Sequence, residues 1–325
     1  MIRRHMIGVS AVLLGAAVFT SAARAEPPAL HFPVDCTLGE TCFLQQFVDR
    51  DPGPGARDFT CGPLSYDTHQ GTDIRLPDLE VMAAGVTVTA AAPGIVRGTR
   101  DGVADLGRAA MVDGQECGNG VAITHADGWE TQYCHLLLGS VSVTTGDRVA
   151  AGTPLGLIGL SGNTEFPHLH LTLRRDGQVV DPFSPSDITL CGTREAQLWA
   201  EPITPSMGGF LSAGFSAALP EFDEIKAGRA DAVTLPAARS GALVLWANVY
   251  GGRAGDVLTL TITSPDGRPF HEQSVTLERT QAQLFRAAGR RAPAGGWPAG
   301  RYFGQITLTR GARDIDRIEA DVTLR

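Results

Sequence analysis

The stretch Val121–Tyr133, with the sequence V-A-I-T-H-A-D-G-W-E-T-Q-Y, decides the fold class of this chain. Its two ends, Val121–Thr124 and Trp129–Tyr133, are rich in β-branched and aromatic residues, which favour strands. Between them stands Ala126-Asp-Gly128, and an Asp-Gly pair is typical of a tight turn. The stretch therefore predicts a β-hairpin.

The same kind of sequence continues on both sides of this hairpin. From residue 36 to about residue 190, short apolar runs alternate with Gly, Pro, Asn and Asp, and helical periodicity is scarce. Examples are Val86–Thr89, Gly94–Arg97 and Leu155–Ile158. We predict a mostly β domain over residues 26–190.

The C-terminal third has a different pattern. Residues 191–209 contain Pro202 and Pro205 and are predicted to form a linker. Beyond them Leu258, Leu260 and Ile262 alternate with threonines, which gives one apolar and one polar face. We predict a C-terminal β-sandwich (Ig-like) domain over residues 210–325.

The first residues of the chain predict export. Arg3 and Arg4 precede an apolar run, and Ala23-Arg-Ala25 is a small-x-small cleavage site, so residues 1–25 are predicted to be a signal peptide. Its loss removes three arginines and no acid, and the net charge moves from −8 to −11. This acidity argues against nucleic acid as a partner. The mature chain is expected to be secreted, periplasmic or extracellular, without a membrane span.

The six cysteines all precede residue 192, and no two of them form a C-x-x-C pair. In an exported chain they are expected to form disulfides and not a thiolate zinc site. Cys117 and Cys134 flank the predicted hairpin, so we predict a disulfide between them. The sequence leaves the pairing of the other four open.

Two short histidine motifs carry the chemistry. His69 and Asp73 stand four residues apart in a turn-rich stretch that enters a strand and can converge on one ion. His168 and His170 stand two apart on a predicted strand, so both imidazoles project from one face. Three protein ligands would leave a tetrahedral metal one open position, as hydrolysis requires.

The chain resembles the lysostaphin-type (LytM-like) zinc peptidases between about Tyr66 and Pro185. The resemblance rests on motifs that occur in the family's order: His69-x-x-x-Asp73, Tyr133-x-His135-Leu136, the turn-rich Gly146–Gly156, Gly162-Asn-Thr164 and Pro167-His-Leu-His170.

The resemblance implies a fold, a site and an activity. The fold is an antiparallel β-sheet with a groove, and the metal lies on its floor. His69, Asp73 and His170 are expected to hold Zn²⁺, and His135 and His168 to act as catalytic histidines, with the general base left open between them. The implied activity is a metalloendopeptidase that cleaves the peptide part of peptidoglycan.

This sequence departs from the family in two places. The connection Asp78–Gly85 is longer than expected, and Cys117 and Cys134 are unusual neighbours of His135. Neither departure removes an expected ligand.

Two alternatives in function stay open: a non-catalytic wall-binding activator of other hydrolases, and a zinc peptidase that acts on proteins. The C-terminal domain is either a spacing module or a wall-binding one, and its protein partner is unknown. For the Pro/Gly-rich Asp51–Gly55, one hypothesis is that it forms a wall of the substrate groove, and the other is that it is a stapled surface loop.

Overall fold

The computed structural model describes residues 26–192 and 196–325. The predicted signal peptide, residues 1–25, lies outside this range. The described chain is mostly β, as predicted, and it is built from two groups of strands. None of its described helices is long and apolar enough to cross a membrane.

The first group forms one large antiparallel sheet and one small one. The large sheet has the order β1-β2-β9-β6-β5-β4-β7, with β10 paired to β9, and the small sheet pairs β3 with β8. The elements are β1 (Phe43–Gln46), β2 (Thr72–Arg75), α1 (Leu79–Ala84), β3 (Thr87–Thr89), β4 (Gly94–Arg100), β5 (Asn119–Thr124), β6 (Trp129–Leu136), β7 (Arg148–Val149), β8 (Pro154–Leu157), β9 (His168–Arg175) and β10 (Gln178–Val180).

Strand β9 lies at the middle of the large sheet, between β2 and β6. Its leucines, Leu169, Leu171 and Leu173, are fully buried in the hydrophobic core on one face. His168 and His170 project from the opposite face because side chains alternate along a strand. One apolar face thus fixes where the two histidines point.

The predicted hairpin is confirmed as β5 and β6. Its turn contains Asp127 with φ 54° and Gly128 with φ 77°, and Asp and Gly tolerate this left-handed region. The predicted disulfide is also confirmed: Cys117 and Cys134 are bonded, with their Cα atoms 4.8 Å apart. The remaining cysteines form two further bridges, Cys36–Cys42 and Cys61–Cys191.

The long connection after β2 folds as α1. The Asp78 side chain caps the helix by accepting a 2.9 Å hydrogen bond from the Val81 N–H, and Gly85 ends it with φ 87°. The extra length in the sequence is therefore one short, capped helix.

The second group forms two sheets. One has the order β11-β13-β16 and the other the order β12-β18-β17-β14-β15. The elements are β11 (Gly209–Ser216), α2 (Phe222–Lys226), β12 (Thr234–Leu235), β13 (Ala242–Gly252), β14 (Val257–Thr263), β15 (Pro269–Thr276), β16 (Gln281–Arg291), β17 (Gly300–Arg310) and β18 (Arg313–Leu324).

Both sheets of the second group contribute to one hydrophobic core. Leu245 of β13 belongs to the same buried cluster as Leu260 of β14 and Ile306 of β17. Leu258, Leu260 and Ile262 are fully buried, whereas the threonines between them are partly exposed, so the alternation in the sequence is confirmed.

The segment predicted as a linker contains residues that pack against the first group. Leu198 and Trp199 are buried in its core, and the Leu30 N–H donates to the Leu198 carbonyl over 2.8 Å. A smaller buried cluster of Phe43, Leu211 and Tyr250 joins the two groups of strands. The sequence did not predict this packing, because Leu198 and Trp199 are neighbouring apolar residues that belong to no periodic pattern.

Candidate metal centre

The pairing of β2, β9 and β6 makes residues that are distant in the sequence neighbours across the strands. Asp73 lies opposite His170 in the β2–β9 ladder, and Cys134 lies opposite His170 in the β9–β6 ladder. His69 precedes β2, and His135 follows Cys134. Residues separated by about a hundred positions therefore meet on one face of the sheet.

Three polar atoms converge on this face of the sheet. Asp73 Oδ1 lies 2.8 Å from His170 Nδ1 and 3.1 Å from His69 Nε2, and these two nitrogens are 3.1 Å apart. Ligand atoms around a tetrahedral zinc stand about 3.3 Å from one another, given metal–ligand distances of about 2.0 Å. The donor set, two imidazoles and a carboxylate, fits a divalent metal.

Neighbouring groups fix which nitrogen each ring presents. His69 Nδ1 donates to the Phe47 carbonyl over 2.7 Å, which leaves Nε2 to face Asp73. His170 Nε2 lies 3.0 Å from the Thr172 hydroxyl, which leaves Nδ1 to face the same carboxylate. Such second partners orient the ligands of a metal site.

Gly71 is required by the close approach of His170. A Cβ atom at Gly71 would lie 2.6 Å from His170 Nε2 and 2.7 Å from the Leu171 carbonyl oxygen. The glycine between His69 and Asp73 therefore provides the space for the third side chain of the cluster.

The charge of the cluster follows from burial and proximity. Burial opposes the charged form of Asp73, but His69 and His168 together hold the pKa of this carboxyl well below its usual value. Burial also opposes charge on His69, where the nearby Asp73 prevails and raises the pKa. For His170 burial prevails and lowers the pKa. The centre thus contains a buried carboxylate that a bound cation would neutralise.

His135 and His168 stand beside this centre. His168 Nδ1 lies 2.9 Å from the Phe166 carbonyl, so it donates there, and its Nε2 is 3.5 Å from Asp73 Oδ1. His135 Nδ1 donates to the Ser161 carbonyl over 2.8 Å, and burial lowers its pKa well below the usual value. The two ring centroids are 4.6 Å apart. In the neutral form of each ring, Nε2 is therefore the nitrogen that can accept a proton.

Two overlapping trios of the described residues have ligand atoms close enough for a metal. One is His69, Asp73 and His170, and the other is His135, His168 and His170. Only the first contains a carboxylate.

A cavity of about 630 Å³ opens over the cluster. Asp73, His135 and His168 are among its lining residues, and Gln45 and Gln46 of β1 also line it. None of the residues in Asp51–Gly55 lines this cavity, so the hypothesis of a groove wall there gains no support. Of the segments that precede Tyr66, β1 lines the cavity, through Gln45 and Gln46.

Sequence reasoning missed several residues of the cavity. Tyr66 lines it with its ring centroid 4.4 Å from that of His69, and Arg108 lines it from the short 3₁₀ helix Gly107–Ala110 between β4 and β5. Phe222 and Lys226 of α2 line it from the second group of strands. No local pattern pointed to these residues, because their place depends on packing between distant segments.

The other histidines among the described residues lie outside the cluster. His125 has other partners: its Nδ1 lies 2.7 Å from the Pro93 carbonyl and its Nε2 2.8 Å from the Thr131 hydroxyl. His31 is exposed and His271 is partly exposed.

The sequence model described as "Peptidase family M23" matches residues 67–182, the part of the chain that contains all five residues of the cluster. The second group of strands lies beyond this match.

Several curated proteins are similar over the same part. The DD-carboxypeptidase/endopeptidase Mpg of Neisseria meningitidis is 34% identical over 122 residues, which are 37% of this chain and 23% of that protein. The peptidoglycan DD-endopeptidase ShyA of Vibrio cholerae is 31% identical over 113 residues, 35% of this chain and 22% of that protein. The cell division protein DipM of Caulobacter vibrioides is 40% identical over 73 residues, 22% and 12% respectively. The chain spans less than a quarter of the length of each of these relatives.

Among solved structures, the catalytic domain of the M23 protein EnpA from Enterococcus faecalis is 25% identical. The match covers 47% of this chain and 94% of that one, with a TM-score of 0.33. A zinc-containing peptidase from Vibrio cholerae is 24% identical over 44% of this chain and 39% of that one, with a TM-score of 0.29.

Proposed function

We propose that the protein is a zinc-dependent endopeptidase of peptidoglycan, a proposal supported by the match of residues 67–182 to the model of peptidase family M23. It hydrolyses peptide bonds in stem peptides or in the cross-links between them. The observation that carries the proposal is the convergence of His69 Nε2, Asp73 Oδ1 and His170 Nδ1 beside an open cavity.

His69, Asp73 and His170 are the proposed zinc ligands. This trio is preferred over His135, His168 and His170 because its carboxylate is buried and anionic and needs a compensating cation. When bound, zinc supplies a Lewis acid that acidifies water and polarises a carbonyl group. Three protein ligands leave a coordination position free for this chemistry.

His135 and His168 are the proposed catalytic residues. Both rings donate through Nδ1 to a backbone carbonyl, so both present an Nε2 that can accept a proton. One takes the proton of the attacking water, and the other stabilises the negative charge that develops on the carbonyl oxygen. The proton then passes to the leaving amine.

The substrate class rests on the relatives. Mpg and ShyA are named as a DD-carboxypeptidase/endopeptidase and a peptidoglycan DD-endopeptidase. The two alternatives are a peptidase of proteins and a non-catalytic activator of other wall hydrolases. The complete cluster favours an enzyme over an activator.

The division of the chain is part of the proposal. We propose a signal peptide over residues 1–25, a peptidase domain over 26–190, a linker over 191–209 and a β-sandwich (Ig-like) domain over 210–325. Three disulfides support a place outside the cytoplasm, in the periplasm or the extracellular space.

The experiment that tests the function compares substrates and metal states. Purified protein is incubated with peptidoglycan, with a cross-linked stem peptide and with an unfolded protein, and new amino termini are identified by mass spectrometry. We expect cleavage of the first two, loss of cleavage with a chelator and recovery with zinc. Cleavage of the protein alone would favour the first alternative, and binding to peptidoglycan without any cleavage would favour the second.

A further inference from the structure

We infer that the second group of strands forms one wall of the substrate groove and that Lys226 on this wall binds a carboxylate group of the peptide substrate. This inference rests on the proposed function and deepens it, because it names a specificity residue outside the M23 match. Its basis is a shared cavity, a fixed contact between the two groups and the placement of charge.

The cavity has lining residues from both groups of strands. Asp73, His135 and His168 come from the first group, whereas Phe222 and Lys226 of α2 and the first residues of β16, Gln281–Gln283, come from the second. A peptide that reaches the His/Asp cluster through this cavity therefore passes between the two groups of strands.

The helix α2, which forms part of this wall, is packed at both of its ends: against β16 at its start and near α1 just after its end. The Phe222 ring stacks on Phe285 of β16, with centroids 5.2 Å apart. Just after α2, the backbone of Gly228 approaches α1 so closely that a Cβ there would lie 2.8 Å from the Cβ of Glu80. The extra helix α1 in the peptidase part thus contacts the segment that follows α2.

A second contact between the two groups of strands joins Phe43 to Tyr250. The Phe43 ring lies 5.6 Å from that of Tyr250, and both belong to a buried cluster with Leu211. Because buried apolar contacts of this kind resist separation, the wall has a defined position relative to the cluster.

The charges that line the cavity leave Lys226 facing an incoming substrate. Asp73 lies among the histidines, and Arg108 pairs over 2.7 Å with Glu165, which also lines the cavity and offsets its charge there. Lys226 pairs with Asp223 over 2.7 Å, but the Asp223 side chain is 89% exposed and does not line the cavity. An ion pair that exposed contributes little and exchanges readily for another anion.

A carboxylate-bearing peptide is the ligand that this arrangement fits. A peptide carries a carboxylate at its C-terminus and on any acidic side chain, so a peptide substrate offers an anion to Lys226. The amide side chains of Gln45, Gln46 and Gln283 around the same cavity can donate to and accept from a peptide backbone.

The test compares two forms of one substrate. A cross-linked stem peptide is prepared with its carboxylates free and with the same carboxylates amidated. The values of kcat/KM are measured for the unmodified protein and for Lys226→Gln, Lys226→Glu and Lys226→Arg. Arg229→Gln is the matched control, because Arg229 is exposed near α2, pairs with Glu224 and does not line the cavity.

For Lys226→Gln we expect a loss of about 3- to 10-fold on the free-carboxylate peptide, seen in KM more than in kcat. The loss should be larger for Lys226→Glu, small for Lys226→Arg, and absent on the amidated peptide and in the control. Equal losses on both peptides, or no loss on either, would overturn the inference. A gain on both peptides would show that the wall obstructs the groove and would also overturn it.

Binding separates this inference from the proposed function. The dissociation constants of both peptides are measured by fluorescence polarisation in a His168→Ala background, so that the peptide is not consumed. If the unmodified protein cleaves neither peptide, the proposed function fails. A preference for the free-carboxylate peptide that depends on Lys226 would then still support the wall, and its absence would refute it.

Discussion

The backbone N–H of His135 donates a 2.8 Å hydrogen bond to the carbonyl oxygen of Cys117, beside the disulfide that joins Cys117 to Cys134. His135 has φ 65°, a left-handed conformation that costs a non-glycine residue about 1–2 kcal/mol. The hydrogen bond and the disulfide together hold the backbone that presents this imidazole. Strained residues of this kind are common at functional sites.

The first prediction concerns this disulfide. In the double variant Cys117→Ser/Cys134→Ser we expect zinc to be retained and turnover to fall at least tenfold, because the imidazole of His135 loses its fixed position. Global stability should fall by about 2–3 kcal/mol, as for a short disulfide loop. Zinc content, thermal unfolding and kcat are the measurements.

The disulfide Cys36–Cys42 closes a shorter loop, with a sequence separation of 6 against 17 for Cys117–Cys134, and is the control. The variant Cys36→Ser/Cys42→Ser should lose stability without a comparable loss of turnover. Equal losses of turnover in both double variants would show that the Cys117–Cys134 bridge has no special role at His135.

The second prediction concerns the metal. His69→Ala, Asp73→Ala and His170→Ala should each lose most of the zinc, because each removes one of three converging donor atoms. Metal analysis by mass spectrometry measures this loss. His125→Ala, which removes a histidine of the same sheet outside the cluster, should keep its zinc. Full zinc retention in any two of the three ligand variants would refute the ligand assignment.

The third prediction concerns turnover. His135→Ala and His168→Ala should keep zinc and lose about 10²–10⁴-fold in kcat, the usual contribution of an acid–base or oxyanion group. Zinc content and kcat are measured on the same samples. A variant that binds zinc and turns over near the rate of the unmodified protein would exclude that histidine from catalysis.

The fourth prediction concerns a buried ion pair within the first group of strands and the loops around it. Arg50 pairs with Asp181 over 2.9 Å, and both side chains are fully buried. Arg50 also donates to the carbonyl oxygens of Ser184 and Asp187. Arg50→Met should cost about 3–5 kcal/mol because it leaves a buried carboxylate without its partner.

The loss of stability in Arg50→Met should depend on pH. Burial raises the pKa of Asp181 to about 6, although Arg50 lowers it. Without Arg50 the pKa of Asp181 rises further. The variant is therefore less destabilised below pH 6, where Asp181 is protonated in both proteins, than above it, where only the unmodified protein gains from the ionised, paired carboxylate. Urea unfolding at pH 5 and pH 7.5 measures the difference.

Arg301→Ala is the control for this prediction. Arg301 pairs with Asp321 over 2.7 Å at the surface, so its loss should cost less than about 1 kcal/mol at either pH. A loss in Arg50→Met that is equal at the two pH values would contradict the role of Asp181 ionisation.

Local patterns in the sequence determined the strands and the chemistry they present. The alternation around His168 and His170 placed both imidazoles on one face, and the Asp127-Gly128 turn defined the hairpin that brings Cys117 to Cys134. These features depend on residues close together in the chain, so their physical causes are visible in the sequence. The ordered motifs that extend to His69 and Asp73 predicted the similarity to the M23 peptidases.

Only the tertiary structure decided which distant segments meet. Three features each join separate parts of the chain: the burial of Trp199, the pairing of Arg50 with Asp181, and the cavity that Lys226 lines together with Asp73. Their positions follow from the packing of whole sheets, which buries apolar area that no short pattern specifies. In the sequence, Lys226 cannot be distinguished from an ordinary solvent-exposed lysine. Only the folded chain shows that it lines a cavity whose other wall comes from the first group of strands.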